Sequence, residues 1–328
     1  MEQTADRILR CCKANGPPLL IAIVSWIGDV VSYDLNFRSR IPGTILPHAD
    51  FVSYFASRAN YEVNESQAWY ANEETGVYFT FDFKEDGDDG AEEPDDVPPL
   101  LPVAFNLNYL RPSAFGLEAA SEIAIFVQRF DLLVSDPQIS GMGDGEYSEA
   151  GFLHGWNAGN AVAYRSLASD EARPDALTLP TSRIESLWRW NFDRKKRQDQ
   201  VGEGAFVPRV FFFNDGGRVL TGVAWADGIP ILLPDVDLVL VPRDRLAPRK
   251  WLRPQKDVVV FSWVELEPLI QRFRCESGSP NAYELFYETT PPEIDRVIRE
   301  KAPPKEDPTG LPFDQVLNRE LLEEAKNS

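Results

Sequence analysis

Histidine, cysteine and methionine are all scarce in this chain of 328 residues, and each scarcity removes a class of function. The two histidines, His48 and His154, lie far apart with no cysteine or carboxylate at ligand spacing, so no metal motif forms and neither has a poised partner for general acid–base work. Three cysteines (Cys11, Cys12, Cys275) make no disulfide framework and read as reduced thiols, the usage of a cytoplasmic protein. Two methionines are too few for an adaptable Met-rich groove. Lysine and arginine number 33 against 52 acids, a net charge of −19, which argues against nucleic acid as a partner. No apolar run approaches the ~20 residues of a spanning helix. The longest, residues 19–27, follows acids at Glu2 and Asp6 and precedes no small-residue cleavage site, so it reads as a buried strand, not a leader or anchor. No membrane partner and no cofactor are expected.

Motifs of catalysis are missing as well. Residues 140–145 (SGMGDG) resemble a phosphate loop only in glycine content: no Lys-Ser/Thr follows, and Asp144 and Glu146 would repel phosphate. No Gly-x-Ser-x-Gly elbow occurs. Carboxylates are abundant, so a two-carboxylate hydrolase stays open as an alternative, but no pair among the 52 acids stands out. No catalytic residue is assigned.

What the chain has is acid, unevenly spread. Residues 1–150 carry −16 of the net charge and residues 151–328 only −3. Residues 82–96 (DFKEDGDDGAEEPDD) hold nine acids against the single Lys84. Such a run stays solvated because its like charges repel. It is either a solubility device on a structural or scaffold protein or an electrostatic docking surface for a basic protein. The binding reading assigns Glu85, Asp86, Asp88, Asp89, Glu92, Glu93, Asp95 and Asp96 to the partner surface, with Trp69 and Tyr70 on the adjoining strand as aromatic anchors. The basic counterparts within the chain are residues 194–197 (RKKR) and the set Arg243, Arg245, Arg249, Lys250, Arg253 and Lys256.

Aromatic residues make up 12% of the chain, enough for packed cores. Periodicity predicts helices over residues 4–13, 49–58, 115–128, 149–167, 182–197, 263–273, 292–301 and 313–326. Strands are predicted at 19–26, 30–37, 67–71, 76–83, 101–109 and 130–135, with a Gly28-Asp29 hairpin between the first two. Strand 76–83 alternates Tyr78, Thr80 and Asp82 with Val77, Phe79, Phe81 and Phe83, which gives one aromatic face. Four short strands (207–213, 218–225, 229–232, 236–241) separated by Asp-Gly turns read as a β-meander with Phe211, Phe213, Val219, Val223 and Trp225 in its core; 258–261 is a candidate further strand. The expected fold is α+β, with mixed or antiparallel sheets flanked by helices and a C-terminal β-meander. The expected divisions are an acidic domain at 1–136, a glycine-rich connection, a helical and meander domain at 147–302, and a linker with a peripheral helix at 303–328.

Three segments, YANEETGVYFTFDF (70–83), GMGDGEYSEAGFLHGWNAGN (141–160) and FFFNDGGRVLTGVAWADGIPILLPDVDLVLV (211–241), together resemble uncharacterised bacterial proteins of the myxobacterial type, members of which look like immunity proteins. The resemblance implies a class of function and no site residue: a cytoplasmic protein that binds and occludes a toxin, a nuclease being one candidate, without turnover.

Overall fold

The structure, a computed structural model, describes residues 32–41, 43–84, 98–169, 176–250, 253–254, 257–275 and 282–327, with backbone alone at 249–250 and 253–254. The predicted elements at 4–13 and 19–26, the Gly28-Asp29 turn and the acidic run from Glu85 to Asp96 lie outside these residues. The α+β class holds. The chain forms two compact units, whose described residues are 32–185 with 313–327, and 186–312.

The first unit is built on a seven-stranded antiparallel sheet. Its elements run β1 (Ser32–Ser39), α1 (His48–Ala56), β2 (Tyr61–Val63), β3 (Gln67–Asn72), β4 (Val77–Phe83), β5 (Leu100–Asn108), α2 (Ala114–Phe130), β6 (Leu132–Ser135) and β7 (Asp144–Gly145), and the strand order is β2-β3-β4-β5-β1-β6-β7. Strict alternation drives one face inward: Tyr33, Leu35 and Phe37 from β1, Val77, Phe79, Phe81 and Phe83 from β4, and Val103, Phe105 and Leu107 from β5 are all buried. Phe51 and Phe55 of α1 and Phe126 of α2 close over this face, with Phe126 lying 5.1 Å from Phe37 and 5.0 Å from Phe81 between ring centres. Full burial of each such ring contributes roughly 1.5–3 kcal/mol.

Residues 137–147, expected as a linker between domains, form instead a loop clamped to the first unit. The buried Asp136 carboxylate accepts from the Gln138 amide at 3.0 Å, the Met142 amide at 2.8 Å and the Tyr33 hydroxyl. Helix α3 (Glu149–Ala168) then packs on the same sheet through Phe152 against Tyr33 and Phe105, and Trp156 against Tyr109. Glycines make that approach possible: a Cβ at Gly155 would stand 2.5 Å from the Tyr33 hydroxyl, and one at Gly159 2.2 Å from that of Tyr109. The division therefore falls later than 137–147. It passes through α4 (Thr181–Phe192), which follows β8 (Thr178–Leu179).

The second unit contains α5 (Arg194–Val201), β9 (Val210–Asp215), β10 (Arg218–Ala224), β11 (Ile231–Pro234), β12 (Leu238–Arg243), the short pair β13 (Arg249–Lys250) and β14 (Arg253–Pro254), β15 (Asp257–Ser262), α6 (Trp263–Ile270), β16 (Ala282–Leu285), α7 (Pro292–Glu300) and β17 (Thr309–Leu311). The predicted strand region is present in a different order, β15-β12-β10-β9-β17. Only β9 and β10 make the expected hairpin; β12 runs parallel to β10, and β11 leaves to pair with β16. The cause is the turn at Asp227-Gly228. Both residues take positive φ, in a 3-10 turn braced by the Trp225 indole donating to the Ile229 carbonyl at 2.7 Å, and the chain is carried off the sheet. All four residues of β11 are buried, so that strand needs cover on both sides and cannot lie as a one-faced meander strand. Phe213, Val219, Val223 and Trp225 are buried as expected, while Phe211 is half-buried.

The C-terminal residues return to the first unit. A 3-10 turn (Phe313–Gln315) and β18 (Leu317–Asn318), parallel to β8, precede α8 (Arg319–Asn327), so the helix expected over 313–326 starts six residues late. Asn318 causes the delay: its side chain accepts from the Ser113 amide and donates to the Ser113 and Thr181 hydroxyls, which fixes an extended residue there. Leu317 and Leu322 pack with Tyr164, so this segment is part of a core. Among the described residues no helix is long and apolar enough to cross a membrane.

Candidate functional site

The outer face of the seven-stranded sheet follows from the same alternation that filled the core. Outward positions carry Ser32, Asp34 and Asn36 on β1, Asn106 and Asn108 on β5, Thr80 and Asp82 on β4, and Gln67 and Trp69 on β3. Register sets Trp69, Thr80, Asn106 and Asp34 in one cross-strand row and Gln67, Asp82, Ala104 and Asn36 in the next. The side chains bond along the rows and between them: Gln67 donates to Asp82 at 2.8 Å and Asn106 to Asp34 at 2.6 Å across strands, and Thr80 to Asp82 at 3.3 Å and Ser32 to Asp34 at 3.0 Å along them. Both carboxylates are held by neutral donors, and among the described residues neither meets a cation. These two rows are ordered and carry carboxylates; Arg38, the next outward residue of β1, is buried.

Trp69 is 39% exposed on this face and stacks on Tyr78, with ring centres 5.5 Å apart and an angle of 13°. Tyr78 is itself fixed. Its hydroxyl donates to Asp314 at 2.8 Å, Phe115 meets its ring edge-on at 5.3 Å, and the Arg111 guanidinium lies 5.5 Å from the ring centre. Burial pushes the Tyr78 phenol above its ordinary range, with Arg111 opposing and Asp314 adding to the shift. It stays a neutral donor at all physiological pH. Trp69 is thus a rigid, half-exposed aromatic on a braced platform, the type of side chain that anchors interfaces.

Tyr70, proposed as the second anchor, is buried and points the other way. Its hydroxyl donates at 2.8 Å to Glu118 of α2, a buried carboxylate that also accepts from Asn72 at 2.7 Å and Thr75 at 3.2 Å. Neighbours on one strand point to opposite faces, so Trp69 and Tyr70 could never share a surface. Tyr70 belongs to the core. The acids Glu85, Asp86, Asp88, Asp89, Glu92, Glu93, Asp95 and Asp96 lie outside the described residues; in sequence they connect Phe83, at the end of β4, with β5 beside it in the sheet. Asp34, Asn36, Asn106 and the Gln67–Asp82 pair were missed. Their signal was available, since β1 alternates polar Ser32, Asp34 and Asn36 with apolar residues as clearly as β4 does.

The other sequence candidates resolve into structural roles. The His48 ring lies 4.9 Å from that of Phe83 and its Nε2 is 2.5 Å from the Glu65 carbonyl, while His154 stands exposed on α3. The glycine loop offers its amides to Asp136 in place of a phosphate. Arg243, read as part of a basic patch, is buried: it forms a two-pronged pair with Asp257 at 2.7 and 2.6 Å and donates to the carbonyls of Ile298, Arg299 and Lys301 at the end of α7. Arg245 pairs with Asp295 at 3.2 Å. On α5, Arg197 lies over Trp190 and near Asp193, and Lys195 faces Asp199 at 3.6 Å.

Glu146, Glu265 and Glu320 are all held below the usual carboxylate range, foremost by side-chain hydrogen bonds from Arg40, Lys301 and Thr181 respectively. A general acid needs the opposite displacement. Among the described residues no group of three His, Cys, Asp or Glu side chains is placed to hold a metal ion. Comparison with family models, with curated proteins and with solved structures finds no match.

Proposed function

We propose that this chain is a binding protein that blocks a basic protein partner by occlusion, without turnover, as an immunity protein blocks a toxin inside the cell that makes it. The observation that carries the reading is Trp69, half-exposed and stacked on Tyr78, on a sheet face whose carboxylates Asp34 and Asp82 meet no cation among the described residues. The acidic run extends the negative charge from the end of β4. A braced aromatic supplies contact area at little entropic cost, and acids around it steer a positively charged surface toward it. Occlusion needs no catalytic group, in keeping with the depressed carboxylates and the neutral Tyr78 phenol. A nuclease is the partner chemistry that fits best, because a cleft built for phosphate is basic.

The test is capture of the partner from source cells followed by binding kinetics with purified components. Trp69→Ala is expected to raise the dissociation rate about 30-fold or more, the size of an interface anchor, while the fold is retained. Tyr70→Phe is expected to leave binding unchanged. If Trp69→Ala binds like the unaltered protein, the sheet face is not the interface. Turnover of a small molecule by the purified chain, with no protein partner recovered, would favour the hydrolase alternative.

A further inference from the structure

The edges of the two large sheets differ in length and chemistry. β2 and β17 are three residues long and β7 is two, so each offers little to a further strand. β15, at the remaining edge, runs six residues with the sequence DVVVFS. It has no proline, glycine, lysine or bulge, the devices that keep an edge from pairing. Its one charge, Asp257, is engaged by Arg243.

Register fixes which backbone groups of β15 face outward. The Trp225 amide donates to the Leu240 carbonyl at 2.8 Å, so Leu240 of β12 turns its backbone groups toward β10. Its neighbours Val239 and Val241 turn theirs toward β15, opposite Phe261 and Val259. Pro242, opposite Val258, has no N–H to donate and fits the same phase. The N–H and C=O groups of Val258 and Val260 therefore point away from the sheet. Among the described residues no strand, turn or side chain meets them. Both valines are half-buried, and Val264, two residues past the strand, is 81% exposed. Water can solvate such an edge, but only another strand satisfies it as a ladder and covers the valines as well.

Charge and register both point to a second copy of this chain as the occupant. Residues 186–312 hold nineteen basic and nineteen acidic side chains, so the net −19 is carried entirely by the rest of the sequence. Two copies therefore meet least repulsion through this unit. The β15 edge also complements itself. About a two-fold axis at Val259, Val258 of one copy stands opposite Val260 of the other, and each such pair exchanges both of its hydrogen bonds. No outward group is left over, and the valine side chains form cross-strand pairs on one face.

We propose that two copies of this chain pair edge to edge through β15, antiparallel and two-fold related, and so join their five-stranded sheets into one continuous sheet. The test is sedimentation of the full-length chain over a concentration series. The mass should rise from that of one 37.0 kDa chain toward twice that value as the concentration reaches about 100 μM. Val258→Pro removes an outward donor and leaves the β12 ladder intact, since an edge strand tolerates proline where its N–H faces away. It should weaken the dimer about tenfold or more, because each copy then leaves a carbonyl of the other unmet. A chain that stays monomeric throughout overturns the inference, whatever other strand it accepts. So does a dimer that Val258→Pro leaves unchanged, because the contact would then lie elsewhere. If Val258→Pro does not fold, hydrogen exchange of the unaltered chain at single amides decides. In concentrated protein Val258 and Val260 should exchange about tenfold or more slowly than in dilute protein, while Val259 and Phe261, bonded to β12 in both states, keep their rates. Equal rates for Val258 and Val260 at the two concentrations reject the pairing.

Discussion

On the seven-stranded sheet the outward positions read Ser32, Asp34, Asn36, Asp82 and Asn106; on the five-stranded sheet they read Phe211, Phe213, Leu238, Leu240 and Val260. Both sheets bury their other face in a core of the same kind. The first outer face satisfies its polar groups among themselves and can meet water or a hydrated, charged surface. The second has nothing to offer water and is stable only under cover. Each unit also buries a charged group among named partners: Glu118 accepts from Tyr70, Asn72 and Thr75 in the first, and Arg243 in the second meets Asp257 and the carbonyls that end α7. The difference separates a polar face that water can solvate from an apolar one that water cannot.

The largest expected effect is at Arg243. Arg243→Ala leaves Asp257 and three helix-end carbonyls without their donor and should cost about 3–5 kcal/mol, because breaking a buried pair strands its partner. Denaturant unfolding with a probe in each unit should show the second unit melting first; simultaneous loss of both units would mean that they do not fold independently. Next come the two outer faces themselves. Leu240→Ala should cost about 2–5 kcal/mol, as for a covered core leucine, whereas Asn36→Ala on the polar face should cost about 0.5 kcal/mol or less. Equal costs would erase the contrast between the faces. Gly159→Ala should lower stability by about 1–3 kcal/mol by pushing Tyr109 from α3, an effect visible as a first-unit transition only.

The smallest effect is a pH dependence. Glu265 closes a capping box on α6 and pairs with Lys301 at 2.9 Å, which holds its carboxyl below the ordinary value. A carboxyl depressed in the folded state contributes stability that is complete above its unfolded pKa, near 4.3, and is lost as pH falls through its lower folded value. Unfolding midpoints of the second unit should therefore drop below about pH 4.5, and Glu265→Gln should flatten that drop. A variant with the same acid limb as the unaltered protein would show that the cap does not contribute.

Much of this was legible in the sequence. The alternation of Val77, Phe79, Phe81 and Phe83 announced the aromatic core face, and the helical spacing of Leu153, Trp156, Asn160 and Tyr164 announced α3. What escaped was long-range pairing. Nothing local tells that Ala226-Asp227-Gly228 throws β11 off the sheet and not back along it, because both outcomes use a Gly after an Asp with positive φ. Asp136 could not be seen to hold the glycine loop, since its partners Tyr33 and Met142 are distant in sequence or lie in the loop itself. For the candidate site, the acids were conspicuous by number, but the face that carries Trp69 appeared only when register brought β3, β4, β5 and β1 side by side. The pairing of Trp69 with Tyr70 as joint anchors failed on the simplest rule of strands, that neighbours point apart.

The central claim is that this chain recognises a basic protein through a negatively charged, Trp69-bearing sheet face. Its most direct test is the association rate of the captured partner at two ionic strengths, for the unaltered chain and for a variant with Glu85, Asp86, Asp88, Asp89, Glu92 and Glu93 changed to the corresponding amides. Steering by charge predicts that the unaltered protein associates much faster at low salt, that the variant associates slowly with a nearly flat salt dependence, and that dissociation changes little between them. Identical association rates and identical salt dependence in the two proteins would contradict it.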